Sequence, residues 1–242
     1  MKHIHIAVLI GIGALGALEA CKRDSTGPGG GGPGGSLTAD VTDSVGDVFG
    51  SDTTIPQPDL TALSVTRDTG GATVTMDFTA DVQSPVTGGA NVVEGVVDID
   101  IDQNPATGVE TDVDFFRVDG NSTGMGMEYY VDLGAFSAYN ADSTVTVFAI
   151  DTLFNLVATG TVRPTFSGKR LTFRLPRGLV GGDDMLTNVA VVIGNTTEPT
   201  DLAPNDGHLQ VGGAGPAAPN RSGVVMRPVP VRRPGTRRWS RG

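Results

Sequence analysis

The chain has very few of the residues on which most catalytic and metal-binding motifs depend. It contains one cysteine and three histidines, and two of the histidines, His3 and His5, lie near the N-terminus. If the N-terminal segment that holds His3 and His5 is removed as an export signal, zinc sites built from cysteine and histidine are excluded by count, and the single cysteine leaves no disulfide framework. A catalytic triad built on histidine would have to use His208. No P-loop and no G-x-G-x-x-G between a strand and a helix is present, so we expect a protein that is not an enzyme.

Aromatic and basic residues are also scarce in the middle of the chain. The only tryptophan, Trp239, lies near the C-terminus, and residues 37–213 hold 25 acidic against 7 basic residues, a net charge of −18. Such a surface repels phosphates, so nucleic acid is not an expected partner, whereas cations are. Residues 214–242 carry seven arginines and no acid. This basic Pro/Arg-rich tail has no apolar period, and we expect it to be disordered.

No segment has a convincing helical period, whereas several short segments alternate with a period of two. Ala72, Val74 and Met76, for example, alternate with threonine and aspartate, which is typical of a strand with one buried face. The predicted strands are 60–67, 72–80, 93–102, 113–118, 126–133, 144–150, 154–162, 170–175 and 186–193, with one helical turn at 176–179. We therefore predict that residues 37–213 form an all-β domain. Its expected architecture is an antiparallel β-sandwich of jelly-roll or immunoglobulin-like type with about nine or ten strands, and a closed barrel is the alternative.

The first residues of the chain predict export. Lys2 precedes an apolar run, residues 6–18, which is too short to span a bilayer comfortably and is typical of a signal peptide. The run ends in Leu18-Glu19-Ala20-Cys21, which resembles the lipobox of bacterial lipoproteins, although Glu19 departs from the usual small or apolar residue. An ordinary secretory signal or an uncleaved anchor is the alternative.

The lipobox resemblance implies a membrane anchor. Residues 1–20 would be removed as the signal peptide, and Cys21 would be diacylated to become the mature N-terminus. Residues 21–36 continue as a flexible Gly/Pro-rich linker. Lys22 is not the aspartate that retains some lipoproteins at the inner membrane, so the outer membrane or the cell surface is favoured.

The most distinctive chemistry lies in the strand predicted at 93–102. Its period of two places Glu94, Asp98, Asp100 and Asp102 on one face, and a turn with Asn104 follows. A hairpin would add Asp112 and Asp114. Calcium accepts 6–8 oxygen ligands in flexible geometry, so we predict a calcium site with the ligands Asp98, Asp100, Asp102, Asn104, Asp112 and Asp114. The alternative is a set of solvated carboxylates that needs no ion.

Two further features of the sequence bear on this metal prediction. The loop is not an EF-hand, because the sixth position from Asp98 is Gln103 and the twelfth is Val109. A second group of oxygen ligands, Asp201, Asn205 and Asp206, lies in the stretch 198–208. There we favour a simple turn-forming loop over a second metal site.

Several short motifs follow one another in an order that resembles the order found in secreted bacterial β-sandwich domains related to family 9 carbohydrate-binding modules. The motifs are Gly46-Asp47, Pro58-Asp59-Leu60, the run from Asp98 to Gly108, Tyr130-Val131-Asp132-Leu133 and Asn188-Val189-Ala190-Val191. The resemblance implies a jelly-roll-like fold, frequent calcium and sometimes sugar binding. The chain departs from it in having no tryptophan before Trp239, which leaves Tyr129 and Tyr130 as candidate ligand-binding residues. They must face opposite sides of one strand, so one of them is expected to be core.

Together these features predict a lipid-anchored protein of the cell envelope. Its β-sandwich would bind calcium and serve ligand binding or adhesion without catalysis, with a glycan or an envelope protein as the ligand. One alternative is a structural envelope protein with no small ligand. Another is a glycoside hydrolase that relies on a pair of carboxylates.

Overall fold

The computed structural model describes residues 35–117, 121–181 and 186–213, and strands dominate it. The first sheet has the strand order β1 (Leu37–Thr42), β2 (Leu60–Asp68), β3 (Gly71–Phe78), β9 (Arg170–Pro176) and β8 (Thr165–Ser167). The second sheet has the order β11 (Pro199–Ala203), β10 (Thr187–Gly194), β4 (Glu94–Asp100), β5 (Tyr129–Asp132), β6 (Val145–Ile150) and β7 (Leu156–Val162), and β12 (Leu209–Val211) also pairs with β10. All these strand pairs are antiparallel. The predicted all-β antiparallel sandwich is therefore confirmed, as two separate sheets rather than a closed barrel.

The main core lies between the two sheets and follows the period of two in the sequence. In β3, Val74, Met76 and Phe78 are buried, whereas Thr73 and Thr75 lie on the outer face. The second sheet adds the inward-facing valines and isoleucines of β4 and β10 to the same cluster. Burial of each such side chain stabilises the fold by about 1.5–3 kcal/mol, so this cluster supplies most of the driving force that holds the sheets together.

A second apolar cluster covers the outer face of the second sheet. It includes Val96 of β4, Tyr130 of β5 and Val192 of β10, packed under Phe116 and Met127. Every residue of β4 is therefore buried. The predicted alternation of β4 is confirmed, but its acidic face is enclosed by a further layer of chain instead of facing solvent.

Part of that layer is a short helix where the sequence predicts a strand. The strand predicted at 113–118 is wrong, because α1 (Asp112–Phe116) occupies this position. Thr111 caps the helix by accepting a hydrogen bond from the backbone N–H of Asp114, and acids in the first turn suit the positive end of a helix. These capping signals lie in a five-residue helix, too short to show an apolar period.

The structure contains twelve strands in its described part, against the nine or ten expected. The additional strands are β1, β8, β11 and β12. They are short or lie at or near sheet edges, where burial on one side is incomplete. The alternation of apolar and polar residues is therefore weak in these strands. The helical turn predicted at 176–179 is present as a 3-10 turn, Arg177–Leu179.

Several predictions fall on residues that the structure does not describe. These are the signal peptide 1–20, the lipidated Cys21, most of the linker 21–36 and the basic tail 214–242. Within the described ranges, no helix is both long and apolar enough to cross a bilayer.

Candidate metal centres

Three of the predicted calcium ligands belong to the packing of α1 rather than to a common metal site. Asp98 is fully buried, and its Oδ2 accepts a hydrogen bond of 3.0 Å from the backbone N–H of Val113. Asp112 is the first residue of α1 and is also buried. Asp114 accepts hydrogen bonds of 2.6 and 2.7 Å from the backbone and hydroxyl of Thr123. Because a helix replaces the expected hairpin, Asp98, Asp112 and Asp114 do not join the acids at the end of β4.

The first acidic cluster consists of Asp100, Asp102 and Glu128, whose carboxylates approach within 4.8 Å of one another. Asp100 ends β4, Asp102 lies two residues further in the following loop, and Glu128 directly precedes β5. The sequence interpretation identifies Asp100 and Asp102 but misses Glu128. Glu128 could have been identified from the pairing of the two strands. Because β4 and β5 are antiparallel, with Ile99 opposite Tyr129, Glu128 lies beside the end of β4.

Backbone and amide groups hold these carboxylates in place. Asp100 Oδ2 accepts a hydrogen bond of 3.0 Å from the side chain of Asn188 on β10. Glu128 Oε2 accepts one of 3.0 Å from the backbone N–H of Ile101. Burial raises the pKa of Glu128 to about 7, against the hydrogen bonds from Thr107 and Ile101, and the charges of Asp100 and Asp102 add to the rise. Burial also raises the pKa of Asp100, so the cluster resists carrying its full negative charge without a cation.

One hydroxyl group shows how crowded the oxygens of this cluster are. Thr107 Oγ1 lies 3.0 Å from both carboxylate oxygens of Asp102, 2.7 Å from Glu128 Oε1 and 2.8 Å from the carbonyl oxygen of Asn104. A hydroxyl carries a single proton and can donate it to only one of these four acceptors. The four acceptors therefore compete for one hydroxyl proton, and a bound cation would stabilise this arrangement of oxygens.

Asn104 takes a different part in the site from the one predicted. Its side-chain Oδ1 accepts a hydrogen bond of 3.1 Å from the backbone N–H of Ala106, so the amide shapes the turn. The backbone carbonyl of Asn104, not its side chain, faces Thr107. Asn104 therefore offers the site a neutral main-chain oxygen.

Glycines allow the loop 102–108 to lie directly on the strand that follows it. A Cβ on Gly126 would come within 1.8 Å of the carbonyl oxygen of Thr107, and Gly108 has a φ of +69°. Gln103 also has a positive φ, 54°, but its side-chain amide donates to the carbonyls of Thr187, Val211 and Gly212 at 3.2–3.3 Å. These contacts tie the loop to β10 and β12 and compensate for a conformation that favours glycine.

A second acidic cluster joins residues that are distant in the sequence. Carboxylate oxygens of Asp43, Asp47 and Asp201 lie within 4.8 Å of one another. Asp43 follows β1, Asp201 lies in β11, and Asn205 Nδ2 donates to Asp43 at 2.8 Å and to Asp47 at 2.5 Å. The stretch 198–208 is therefore not a simple turn, because it contains β11 and brings Asp201 and Asn205 to the acids that follow β1.

The charges of the second cluster are closely coupled. Burial, together with the neighbouring charges of Asp201 and Asp47, raises the pKa of Asp43 to about 8. Burial likewise raises the pKa of Asp201 to about 7, with Asp47 and Asp59 as the charged neighbours that add to the rise. In both clusters, acids that ionise near pH 4 when solvated resist ionisation near neutral pH.

The two candidate ligand-binding tyrosines lie on opposite faces of β5, as their spacing predicts. Tyr130 is 1% exposed and stacks on Phe148, with 5.1 Å between ring centroids. Tyr129 is half-buried against the main core, and its hydroxyl accepts a hydrogen bond of 2.8 Å from the backbone N–H of Gly181. The ring of Tyr130 is part of the core and so presents no exposed surface to a ligand. Tyr129 is left as a partly covered candidate.

One local pattern that bears on catalysis lies between α1 and β5, where residues 120–124 read G-N-S-T-G. Ser122 is exposed, and its hydroxyl contacts Asp114 Oδ2 at 3.4 Å and the backbone N–H of Gly124 at 3.1 Å. His208 Nδ1 lies 2.6 Å from the carbonyl oxygen of Thr123. A nucleophile elbow needs a strand before its serine and a helix after it, whereas the described residues of this segment form an irregular loop that follows a helix.

No family model matches the chain, and no curated protein matches it.

Proposed function

We propose that this chain is a lipid-anchored protein of the cell envelope whose β-sandwich is a non-catalytic, calcium-binding module for ligand binding or adhesion. The observation that carries the proposal is the convergence of Asp100, Asp102 and Glu128 at one end of the second sheet. Among the described residues, no Lys or Arg forms an ion pair with any of these three acids. A cation from solution is then the natural partner.

The donor set favours calcium over other divalent metals. It contains only oxygens: three carboxylates, the carbonyl of Asn104 and the hydroxyl of Thr107. Carboxylate, carbonyl and hydroxyl oxygens suit hard cations, and zinc would favour nitrogen or sulfur ligands. Calcium tolerates irregular geometry with 6–8 ligands, whereas magnesium requires a tighter octahedron. Water would complete the shell on the side of the exposed Asp102.

The sequence supports the location. The order of apolar run, Leu18-Glu19-Ala20-Cys21 and Gly/Pro-rich linker resembles that of exported lipoproteins, with Glu19 as the one departure. A flexible linker of about a dozen residues reaches about 2 nm, so the sandwich would stand close to the membrane surface.

The lipid anchor is the first testable part of the proposal. We expect mass spectrometry of detergent-extracted protein to find a diacylglyceryl group on Cys21 and no residue before it. Cys21→Ala should leave the protein soluble, because a single thioether-linked lipid would be its only attachment. A wild-type protein that begins at any other residue, or that fractionates as soluble, would contradict the anchor.

A structural envelope protein is the second candidate, and one feature favours it. Tyr130 is buried, and the outer face of the first sheet presents threonine, serine and charged side chains such as Thr73, Thr75, Arg170 and Arg174. That face therefore offers no aromatic platform on which a sugar ring could stack. A module of this kind would space or shield the envelope without a small ligand.

A glycan array probed with the full-length chain in detergent separates the two candidates. For the binding module we expect retention of at least one class of envelope glycan in millimolar calcium, lost in chelator. The matched control is Asp81→Asn, a change at an exposed acid outside both acidic clusters, which should leave retention unchanged. Absence of binding to all glycans, with calcium present, would contradict glycan recognition and favour the structural candidate.

A further inference from the structure

The second acidic cluster has a fourth carboxylate that the sequence interpretation does not include. Asp59 directly precedes β2 and is 9% exposed. Its Oδ2 accepts a hydrogen bond of 3.0 Å from the backbone N–H of Gly46, in the same segment as Asp43 and Asp47. Its charge acts on both Asp43 and Asp201, so the carboxylate of Asp59 faces the cluster.

Two oxygens of this cluster are buried without a hydrogen-bond partner. They are Asp59 Oδ1 and Asp43 Oδ2. The backbone fixes both oxygens of Asp201, which accept hydrogen bonds from the backbone N–H groups of Leu60 and Leu202 at 2.7 and 2.8 Å. A carboxylate removed from water without a compensating partner costs several kcal/mol. In the described part of the chain, none of the four acids forms an ion pair with Lys or Arg.

We propose that Asp43, Asp47, Asp59 and Asp201 bind a second divalent cation. This ion would hold the connection between β1 and β2, residues 43–59, against the second sheet. The oxygen-only donor set again suits calcium. Asn205 completes it, because rotation of its amide by half a turn would present Oδ1 where Nδ2 now contacts Asp43 and Asp47. In the structure the amide nitrogen of Asn205 donates to both of these carboxylates.

The position of the site indicates a structural role for the ion. Residues 43–59 connect β1 to β2 without a helix or strand, and they lie along β11, an edge strand of the second sheet. Phe49 N–H donates to the carbonyl of Thr200 at 2.9 Å, and the hydroxyl of Thr200 donates to the carbonyl of Pro58 at 2.7 Å. An ion between Asp43 and Asp59 on one side and Asp201 on the other would therefore cross-link the β1–β2 connection to the edge strand of the second sheet that it covers.

Loop length supports a functional reading of this connection. Irregular connections longer than about 12–15 residues are uncommon in compact domains and usually serve a function. This connection follows β1, which pairs with β2 over its whole length. The ion would therefore hold the connection itself in place. The proposal concerns residues other than those of the first cluster and does not depend on it.

Hydrogen exchange of the full-length chain, with calcium chloride as the only added ligand, tests the inference. We expect amide exchange in residues 43–59 to slow at least tenfold when calcium replaces chelator. Asp59→Asn should remove this protection and reduce the calorimetric stoichiometry by one ion. The matched control is Asp40→Asn on β1, an exposed acid outside the cluster, which should retain both.

The variants separate this site from the first cluster. Asp100→Asn with Asp102→Asn should leave the protection of residues 43–59 unchanged, whereas loss of protection in that variant would assign the effect to the first cluster and overturn the inference. Asp59→Asn removes a crowded charge, so it should fold in chelator at least as well as the wild type. Wild-type exchange that is the same in calcium and in chelator would overturn the inference even without any variant.

Discussion

Calcium at about 100 times its dissociation constant is expected to raise the unfolding temperature of the chain by about 5–10 °C for one ion and about twice that for two. Binding at that excess stabilises the folded state by about 2.7 kcal/mol per site. In a domain of this size each kcal/mol corresponds to about 2–4 °C. Differential scanning calorimetry in calcium and in chelator measures the difference.

The same experiment separates the contribution of the first cluster. Asp100→Asn with Asp102→Asn removes two of its three carboxylates and should abolish about half of the rise. Asp81→Asn, a change at an exposed acid outside both clusters, should leave the rise intact. Magnesium at the same concentration should give a smaller shift, because these loop ligands do not enforce an octahedron. A full calcium shift in the double variant would contradict the assignment of ligands.

Without metal, the stability of the chain is expected to fall as the pH rises from about 5 to 8. The pKa values of Glu128 and Asp201 are raised to about 7 and that of Asp43 to about 8. These acids titrate near pH 4 in an unfolded chain. Between about pH 4 and the raised pKa values of about 7 to 8, the folded state binds more protons than the unfolded state. The free energy of unfolding therefore decreases as the pH rises through this range. In chelator, we expect an unfolding temperature several degrees higher at pH 5.5 than at pH 8.

Calcium should reverse this trend, because it binds ionised carboxylates and its affinity rises as they lose protons. The matched control for the pH effect is Asp201→Asn, which removes one of the three titrating acids and should flatten the profile in chelator. An unfolding temperature that rises or stays level from pH 5.5 to 8 in chelator would show that the crowded carboxylates do not limit stability.

The sequence was sufficient to predict the sandwich and part of the first cluster. The period of two in β3 and β4 sets which side chains face the main core, and it places Asp100 and Asp102 beside each other on one face. It does not show that this face is covered. The covering side chains, such as Phe116 and Met127, lie in a five-residue helix and in irregular chain, where no period reports burial.

Contacts between distant strands account for the residues that sequence interpretation missed. Glu128 joins the first cluster only through the pairing of β4 with β5. In the second cluster, the acids after β1 are obvious in the sequence, and Asp201 and Asn205 are recognisable as oxygen ligands. Their meeting depends on β11 joining the edge of the second sheet beside the β1–β2 connection. Local periodicity carries no information about such a meeting.

The most direct test of the calcium-binding account is isothermal titration calorimetry of the metal-free full-length chain with calcium chloride at pH 7.5. The account predicts two bound ions per chain, one of which is lost in Asp100→Asn with Asp102→Asn and the other in Asp59→Asn. Absence of binding heat at millimolar calcium, together with an unchanged unfolding temperature, would contradict it.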